Sequence, residues 1–208
     1  MLHTELVAVL SSALQQPLPG PSAQAWMSPR PRGSWPPGFD VNGVRQAAGL
    51  LLLFPVREHT HLVLTVRSEH VRHSGQVSLP GGVVEPGETL EDAALREAHE
   101  EIAFASDATQ LLGRLTPLDI PVSGFRLHPV VAAVDHRPDL RPSDHEVARI
   151  LEVAVDTLLD PRTVRWRPMT RGDLHMNVPT FVVDDEVIWG ATAMVLSEFL
   201  ALLGWSPD

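Results

Sequence analysis

Apolar residues recur along this chain in two rhythms. In the first stretch they fall at Leu6, Val7, Val9, Leu10 and Leu14, a helical spacing that ends before Pro17. Further on, Ala47 to Val56 and His61 to Arg67 are near-continuous apolar runs separated by Arg57-Glu58-His59-Thr60, which predicts two strands joined as a hairpin. Leu111 to Leu118, Phe125 to Val134, Val147 to Val155, Val164 to Met169 and Asn177 to Val183 also read as extended segments. The helical rhythm returns from Ala191 to Leu203, closed by Gly204 and Pro207. Strands outnumber helices and do not alternate with them regularly. The expected class is therefore α/β with a mixed sheet carrying helices on its faces, not a doubly wound nucleotide fold.

Between the hydrophobic stretches, Pro17 to Gly38 is proline-rich and reads as an irregular segment draped over the domain, with Trp26 and Trp35 as possible anchors. This divides the chain into an N-terminal helix and Pro-rich segment, residues 1–45, and one domain, residues 46–208.

A second amphipathic helix is expected after the turn Pro80-Gly81-Gly82 and the loop Glu85-Pro86-Gly87-Glu88. Thr89 is its candidate N-cap, with Asp92 three residues later as in a capping box. Leu90, Ala93, Ala94, Ala98 and Ile102 supply its inward side. The other side carries Glu97, Glu100 and Glu101, whose carboxylates project within about 100° of one face. Like charges so placed repel unless a cation compensates, and hard divalent ions prefer oxygen ligands. Taken alone, three such glutamates are more often a solvated acidic face.

Composition narrows the chemistry. With no cysteine, disulfides, thiolate zinc sites and cysteine nucleophiles are excluded, so any metal must be held by oxygen or imidazole. A formal charge of −10 disfavours a nucleic-acid backbone or an anionic membrane as partner, and no apolar run reaches the length of a membrane-spanning helix. Met1 to Leu14 lacks a basic leader and includes Glu5, so the cytoplasm is the expected location. All sixteen basic residues are arginines, the side chain suited to bidentate phosphate contacts.

The register around the three glutamates is what separates them from a surface stripe. Gly82 is followed after five residues by Glu88, and after seven more by Arg96-Glu97-Ala98-His99-Glu100-Glu101-Ile102-Ala103-Phe104. This resembles the Nudix box, with Ala103 standing where a glycine is usual. The resemblance implies a Nudix-type α/β/α sandwich and Mg²⁺- or Mn²⁺-dependent hydrolysis of a pyrophosphate bond. In that reading Glu97, Glu100 and Glu101 are metal ligands assisted by the Gly81 carbonyl, while Glu88 and Arg96 hold the loop against the helix.

Upstream, Leu64-Thr65-Val66-Arg67-Ser68, then Arg72, then Gly75 to Gly82 is similar to the additional signature of the coenzyme A pyrophosphatase branch. It departs from that signature in a one-residue-shorter Arg72 to Gly75 spacing and in Leu79 where an aromatic residue is expected. Ser123-Gly124-Phe125, Pro129-Val130-Val131, His145-Glu146-Val147 and Ile188 to Ala193 extend the similarity towards the C-terminus. The implied reaction is hydrolysis of coenzyme A to 4′-phosphopantetheine and adenosine 3′,5′-bisphosphate by water attack at phosphorus.

Arg67, Arg72, Gly81 and Gly82 are the candidate substrate-binding residues; the plainer reading makes Arg67 a polar strand end and Arg72 a surface residue. Glu146 is the first candidate general base, with Glu100 as rival and a solvent-exposed glutamate before a strand as the plainer alternative. His70, His73 and His99 are left outside the site, and Trp189 reads first as a core residue. Other nucleoside diphosphate derivatives such as ADP-ribose, or a non-catalytic sensor on the same fold, are the competing readings. Sequence leaves the oligomeric state open.

Overall fold

The computed structural model describes residues 1–40, 43–71 and 74–207, with the backbone alone for Arg171. Arg72 lies outside the described residues. The molecule is built on a long strand, β1 (Arg45–Val56), whose residues Leu50 to Phe54 are all fully buried. Alternate side chains of a strand face opposite sides of the sheet, so an unbroken apolar run requires cover on both faces. Leu51 and Leu53 point into one core with Leu6 and Leu10 of α1 (His3–Ala13) and with Val195 and Phe199 of α5 (Gly190–Ala201). Ala48, Leu50, Leu52 and Phe54 point into a second core with Ala93, Ala94, Ala98 and Ile102 of α3 (Leu90–Ile102). The result is the helix–sheet–helix sandwich expected from the sequence.

The sheet is mixed. β1 runs parallel to β7 (Phe125–Ala133) and antiparallel to β2 (His59–Arg67), which in turn pairs with β8 (Val147–Ala154). On the far side β7 pairs with β5 (Gln110–Arg114) and β6 (Leu118–Ile120). The β1–β2 turn is Arg57-Glu58 with both residues at positive φ, the twist that a two-residue hairpin requires.

β1 and β2 stay paired only from Leu53 to Val56 against His59 to Leu62, and then part. The gap is filled by two short strands: β3 (Val77–Ser78) pairs with the outer half of β2, and β4 (Gly81–Val83) with Ala47 to Gly49 of β1. This places the glycine pair in the sheet, directly before the acidic helix.

A separate three-stranded sheet, β9 (Val164–Arg171), β10 (Leu174–Val183) and β11 (Glu186–Ile188), packs Phe181 and Ile188 into the same core as α5. α4 (Val155–Leu159) directly follows β8.

The structure corrects several sequence boundaries. Residues 17–38 are not wholly irregular: α2 (Gly20–Gln24) and a 3₁₀ turn to Met27 interrupt them. A buried carboxylate, Glu198 of α5, stabilises that turn by accepting from Gly20 N at 3.1 Å, Gln24 Nε2 at 2.8 Å and Thr116 N at 3.2 Å. The run Leu111 to Leu118 is two strands, broken at Leu115-Thr116-Pro117, because proline supplies no ladder donor. Trp26 packs edge-on against Trp205, whereas Trp35 stacks on Phe39 near the surface.

Candidate active site

The acidic helix α3 starts at Thr89, whose hydroxyl accepts from Asp92 N at 3.1 Å and donates to Asp92 Oδ2 at 2.7 Å. Glu91 and Asp92 place negative charge in its first turn, where the helix dipole favours it. The helix ends at Ala103, which adopts a left-handed conformation with φ 54°. That is the position where the Nudix box usually has glycine, and alanine adopts it only with strain.

Arg96 braces the region. Its Nε donates to Glu88 at 2.8 Å, Nη2 to the Val83 carbonyl at 2.9 Å, and Nη1 to Glu97 at 3.0 Å and Glu100 at 3.3 Å. One planar guanidinium thus ties β4, the following loop and the helix together. The bond to Arg96 holds the Glu88 carboxyl below its usual range.

Glu97 lies over β4. A Cβ on Gly81 would collide with the Ala48 carbonyl, so the close approach of β4 to β1 requires that glycine, while one on Gly82 would displace the Glu97 carboxylate. Burial raises the Glu97 pKa against the opposing effect of Arg96. Glu101 is only 4% exposed, and its Oε2 accepts from Gly81 N at 3.1 Å. Burial pushes Glu101 up to about 7; the Gly81 amide and Arg67 oppose this, while Glu97 and Glu146 add to it. Glu100 points outward, with its side chain 57% exposed.

Arg67 and Glu146 come together through the β2–β8 ladder, which sets Arg67 opposite Val147. The Arg67 peptide is further fixed by Arg67 N to Gln76 O at 3.0 Å and Gly75 N to Arg67 O at 2.9 Å. The loop carrying Glu146 is pinned to α3 by Ser143 N to Glu101 O at 2.8 Å and Arg141 N to Ile102 O at 3.0 Å. Glu146 itself is exposed. The structure therefore gathers Glu97, Glu101, Glu146 and Arg67 around Gly81 and Gly82, and leaves Glu100 at the rim.

Beside this group lies a cavity of about 630 Å³, lined by Gly49, Arg67, Leu79, Gly81, Met176 and Trp189 among others. It lies beside the place where β1 and β2 part, with β3 and β4 forming part of its wall. Trp189, which the sequence suggested as a core residue, is a partly exposed wall of this cavity. His99 faces away, with Nδ1 3.2 Å from the Phe104 carbonyl. The sequence reading missed Met169 and Met176 in the cavity wall, and it gave no role to Ser68 of the coenzyme A-type signature, which is 5% exposed beneath the Glu146 loop. The two methionines, set opposite each other in the β9–β10 ladder, have no local signal that marks them as lining residues.

The donor set suits a hard divalent cation: like-charged carboxylates are concentrated at one place, one of them nearly buried, and every candidate donor atom is oxygen. Among the described residues, no three acidic or imidazole side chains already converge on one ion position. Glu97 and Glu100 are instead turned to Arg96 and Glu101 to the Gly81 amide, so holding an ion requires side-chain rotation on a fixed helix.

Comparison with known proteins defines the class. The NUDIX domain model matches residues 44–171, and the chain belongs to the Nudix family. Its relatives include proteins named as uncharacterized Nudix hydrolase NudL. The one from Yersinia enterocolitica is 35% identical over 163 residues, covering 77% of this chain and 82% of the relative. The one from Enterobacter sp. is 39% identical over 175 residues, covering 81% and 88%. A solved Nudix hydrolase from M. smegmatis, RenU, aligns over 78% of this chain and 85% of its own at 19% identity, with a TM-score of 0.49. Nudix hydrolases act on small nucleotide substrates and generally use divalent cations such as Mg²⁺ or Mn²⁺. No helix among the described residues is long and apolar enough to cross a membrane.

Proposed function

We propose that this Nudix hydrolase cleaves the pyrophosphate bond of coenzyme A, releasing 4′-phosphopantetheine and adenosine 3′,5′-bisphosphate, with Mg²⁺ or Mn²⁺ as cofactor. One observation carries the reading: the segment that resembles the coenzyme A signature is also a wall of the cavity. Arg67, Gln76, Val77, Ser78, Leu79 and Gly81 all line it, next to the gathered carboxylates. A substrate with its pyrophosphate at Gly81-Gly82 has room beside it for a long, mostly apolar arm against Leu79, Leu127, Met169, Met176 and Trp189.

Glu97, Glu100 and Glu101 would hold the cation. When bound, it supplies charge neutralisation at the pyrophosphate and a lower pKa for the attacking water. Glu146, exposed and close to Glu97 and Glu101, takes the proton from that water. Arg67 contributes the positive charge that an acidic protein must supply locally to bind an anionic substrate.

The test is product analysis after incubating the protein and coenzyme A with Mg²⁺ or Mn²⁺. Adenosine 3′,5′-bisphosphate is the expected product, and dephospho-coenzyme A should react more slowly. Turnover of ADP-ribose or a dinucleotide with coenzyme A left intact would move the assignment to that substrate. Glu101→Gln should lower turnover by orders of magnitude. Ligand binding without turnover in the wild type would identify a sensor instead.

A further inference from the structure

Glu146 stands at the start of β8 on a loop, and a loop carboxylate is useful for proton transfer only if its direction is fixed. Two rigid peptide planes flank each residue, so fixing both sets φ and ψ, and with them the direction of the Cα–Cβ bond. At Glu146 both planes are bonded to the same residue. Ser68 N donates to the Glu146 carbonyl at 2.9 Å, and Ser68 Oγ donates to the His145 carbonyl, which belongs to the peptide preceding Glu146. The hydroxyl also accepts from His70 N at 3.3 Å, which joins the loop after β2 to the same point.

Ser68 reaches this place because the β2–β8 register shifts between Val66 and Arg67, the last pair being Arg67 opposite Val147. The side chain is buried although it follows directly on an edge of the site. On the opposite flank, the loop is held to the carbonyls of Glu101 and Ile102, at the end of the acidic helix. The loop is thus fixed at two points, one on the helix that carries the carboxylates and one at Ser68.

We infer that Ser68 is a positioning residue for the hydrolytic reaction: by holding the peptide planes on both sides of Glu146 it aims that carboxylate at the site formed by Glu97, Glu101 and the Gly81-Gly82 turn. The inference rests on the proposed role of Glu146 as proton acceptor. It explains a serine whose hydroxyl would otherwise only close a loop. Removing the hydroxyl frees the peptide before Glu146 while leaving the Ser68 amide bond, so the expected defect is in the aim of the carboxylate and not in the fold.

The experiment is a double-mutant cycle between Ser68→Ala and Glu146→Gln, with Ser68→Thr as the variant that keeps a hydroxyl. It is run on whichever nucleoside diphosphate derivative the wild type hydrolyses, so failure with coenzyme A alone overturns the substrate and still leaves the cycle readable. Ser68→Ala should lower kcat about tenfold with KM changed less than about twofold, and Ser68→Thr should recover most of the loss. In the Glu146→Gln background the same change should cost less than about twofold, since there is no carboxylate left to aim.

An equal loss in both backgrounds, full activity in Ser68→Ala, or a loss in Ser68→Ala that follows its thermal midpoint would overturn the inference. Should the alanine variant fail to fold, Ser68→Cys, which keeps the packing but donates weakly, carries the same cycle. Wild-type rate in Glu146→Gln removes both the role of Glu146 and that of Ser68, while hydrolysis of coenzyme A would stand. A wild type that hydrolyses no nucleoside diphosphate derivative overturns the proposed function and this inference together.

Discussion

Ala103 ends the acidic helix in a left-handed conformation with an exposed methyl group and φ 54°. An L-residue there carries a steric cost that glycine lacks. Ala103→Gly should therefore stabilise the protein by about 1 kcal/mol, measured as a higher urea midpoint at unchanged slope. A lower midpoint would mean that the methyl makes a contact worth more than the strain. The same residue marks how much was readable from the sequence. The glutamate spacing and the Thr89-Asp92 cap are local patterns, so α3 was legible almost to the residue. The substitution at 103 was visible as a departure, but only the backbone angle shows that the turn type survives it. Arg67 and Glu146 were named from sequence, yet their proximity depends on the β2–β8 register, which joins residues about eighty positions apart and has no local signature. Met176, and the contact that Ser68 makes with the Glu146 loop, went unread for the same reason.

At the scale of elements, a buried titratable group adds to the apolar packing at each of two N-terminal pieces. α1 docks through Leu6, Leu10 and His3, the last 7% exposed with Nε2 2.9 Å from the Val134 carbonyl. Burial lowers the His3 pKa, an effect only partly opposed by that carbonyl and by Asp135. The unfolded chain therefore takes up a proton near the ordinary histidine value of about 6.5 while the folded protein does not. Stability from this site is fully present above that pH and is lost as the pH falls from there through the lowered folded pKa. The thermal midpoint of the wild type should accordingly drop more between pH 7.5 and 5.5 than that of His3→Gln, which cannot ionise.

α2 depends on Glu198, fully buried and accepting from Gly20, Gln24 and Thr116. Glu198→Ala leaves the Gly20 and Thr116 amides without that acceptor and Gln24 with only the Thr116 carbonyl, and should cost about 3 kcal/mol by denaturant titration. A cost below about 1 kcal/mol would mean that water replaces the carboxylate without penalty. α2 itself was not read from the sequence, because a five-residue helix in a proline-rich segment has no usable periodicity and its stabilising partner lies on α5. β3, β4 and β11 escaped for a related reason: two or three residues cannot show alternation, and they exist as strands only through the neighbours they pair with.

For the whole molecule, β1 couples two cores, one shared with α3 and the other with α1 and α5, so the acidic helix and the cavity wall are braced through one strand. The mixed sheet with helices on both faces was legible, because fully apolar strands and an amphipathic helix leave few other arrangements. The cavity was not, since it arises where strands separate. Its wall opposite β1 comes from the C-terminal sheet, with Met169 and Met176 facing each other across the β9–β10 ladder. Met176→Trp should fill part of that space and, on the proposed reading of coenzyme A as substrate, raise its KM about tenfold or more, with a smaller effect on a substrate lacking a long arm. Equal effects on both substrates would place the arm elsewhere.

The parting of β1 and β2 also bears on motion. β3 is a two-residue strand, paired with β2 at Thr65–Ser78 and Val66–Val77 beside the bond from Arg67 N to Gln76 O, with the Val77 carbonyl taken by the Thr192 hydroxyl at 2.9 Å. A strand so short opens at little cost, and its amides exchange with solvent hydrogen according to how often it does. A molecule lodged in the cavity would press on that strand from inside. Slower deuterium uptake at Val77 and Ser78, read peptide by peptide, would therefore report occupancy of the cavity even in a variant whose chemistry has been abolished.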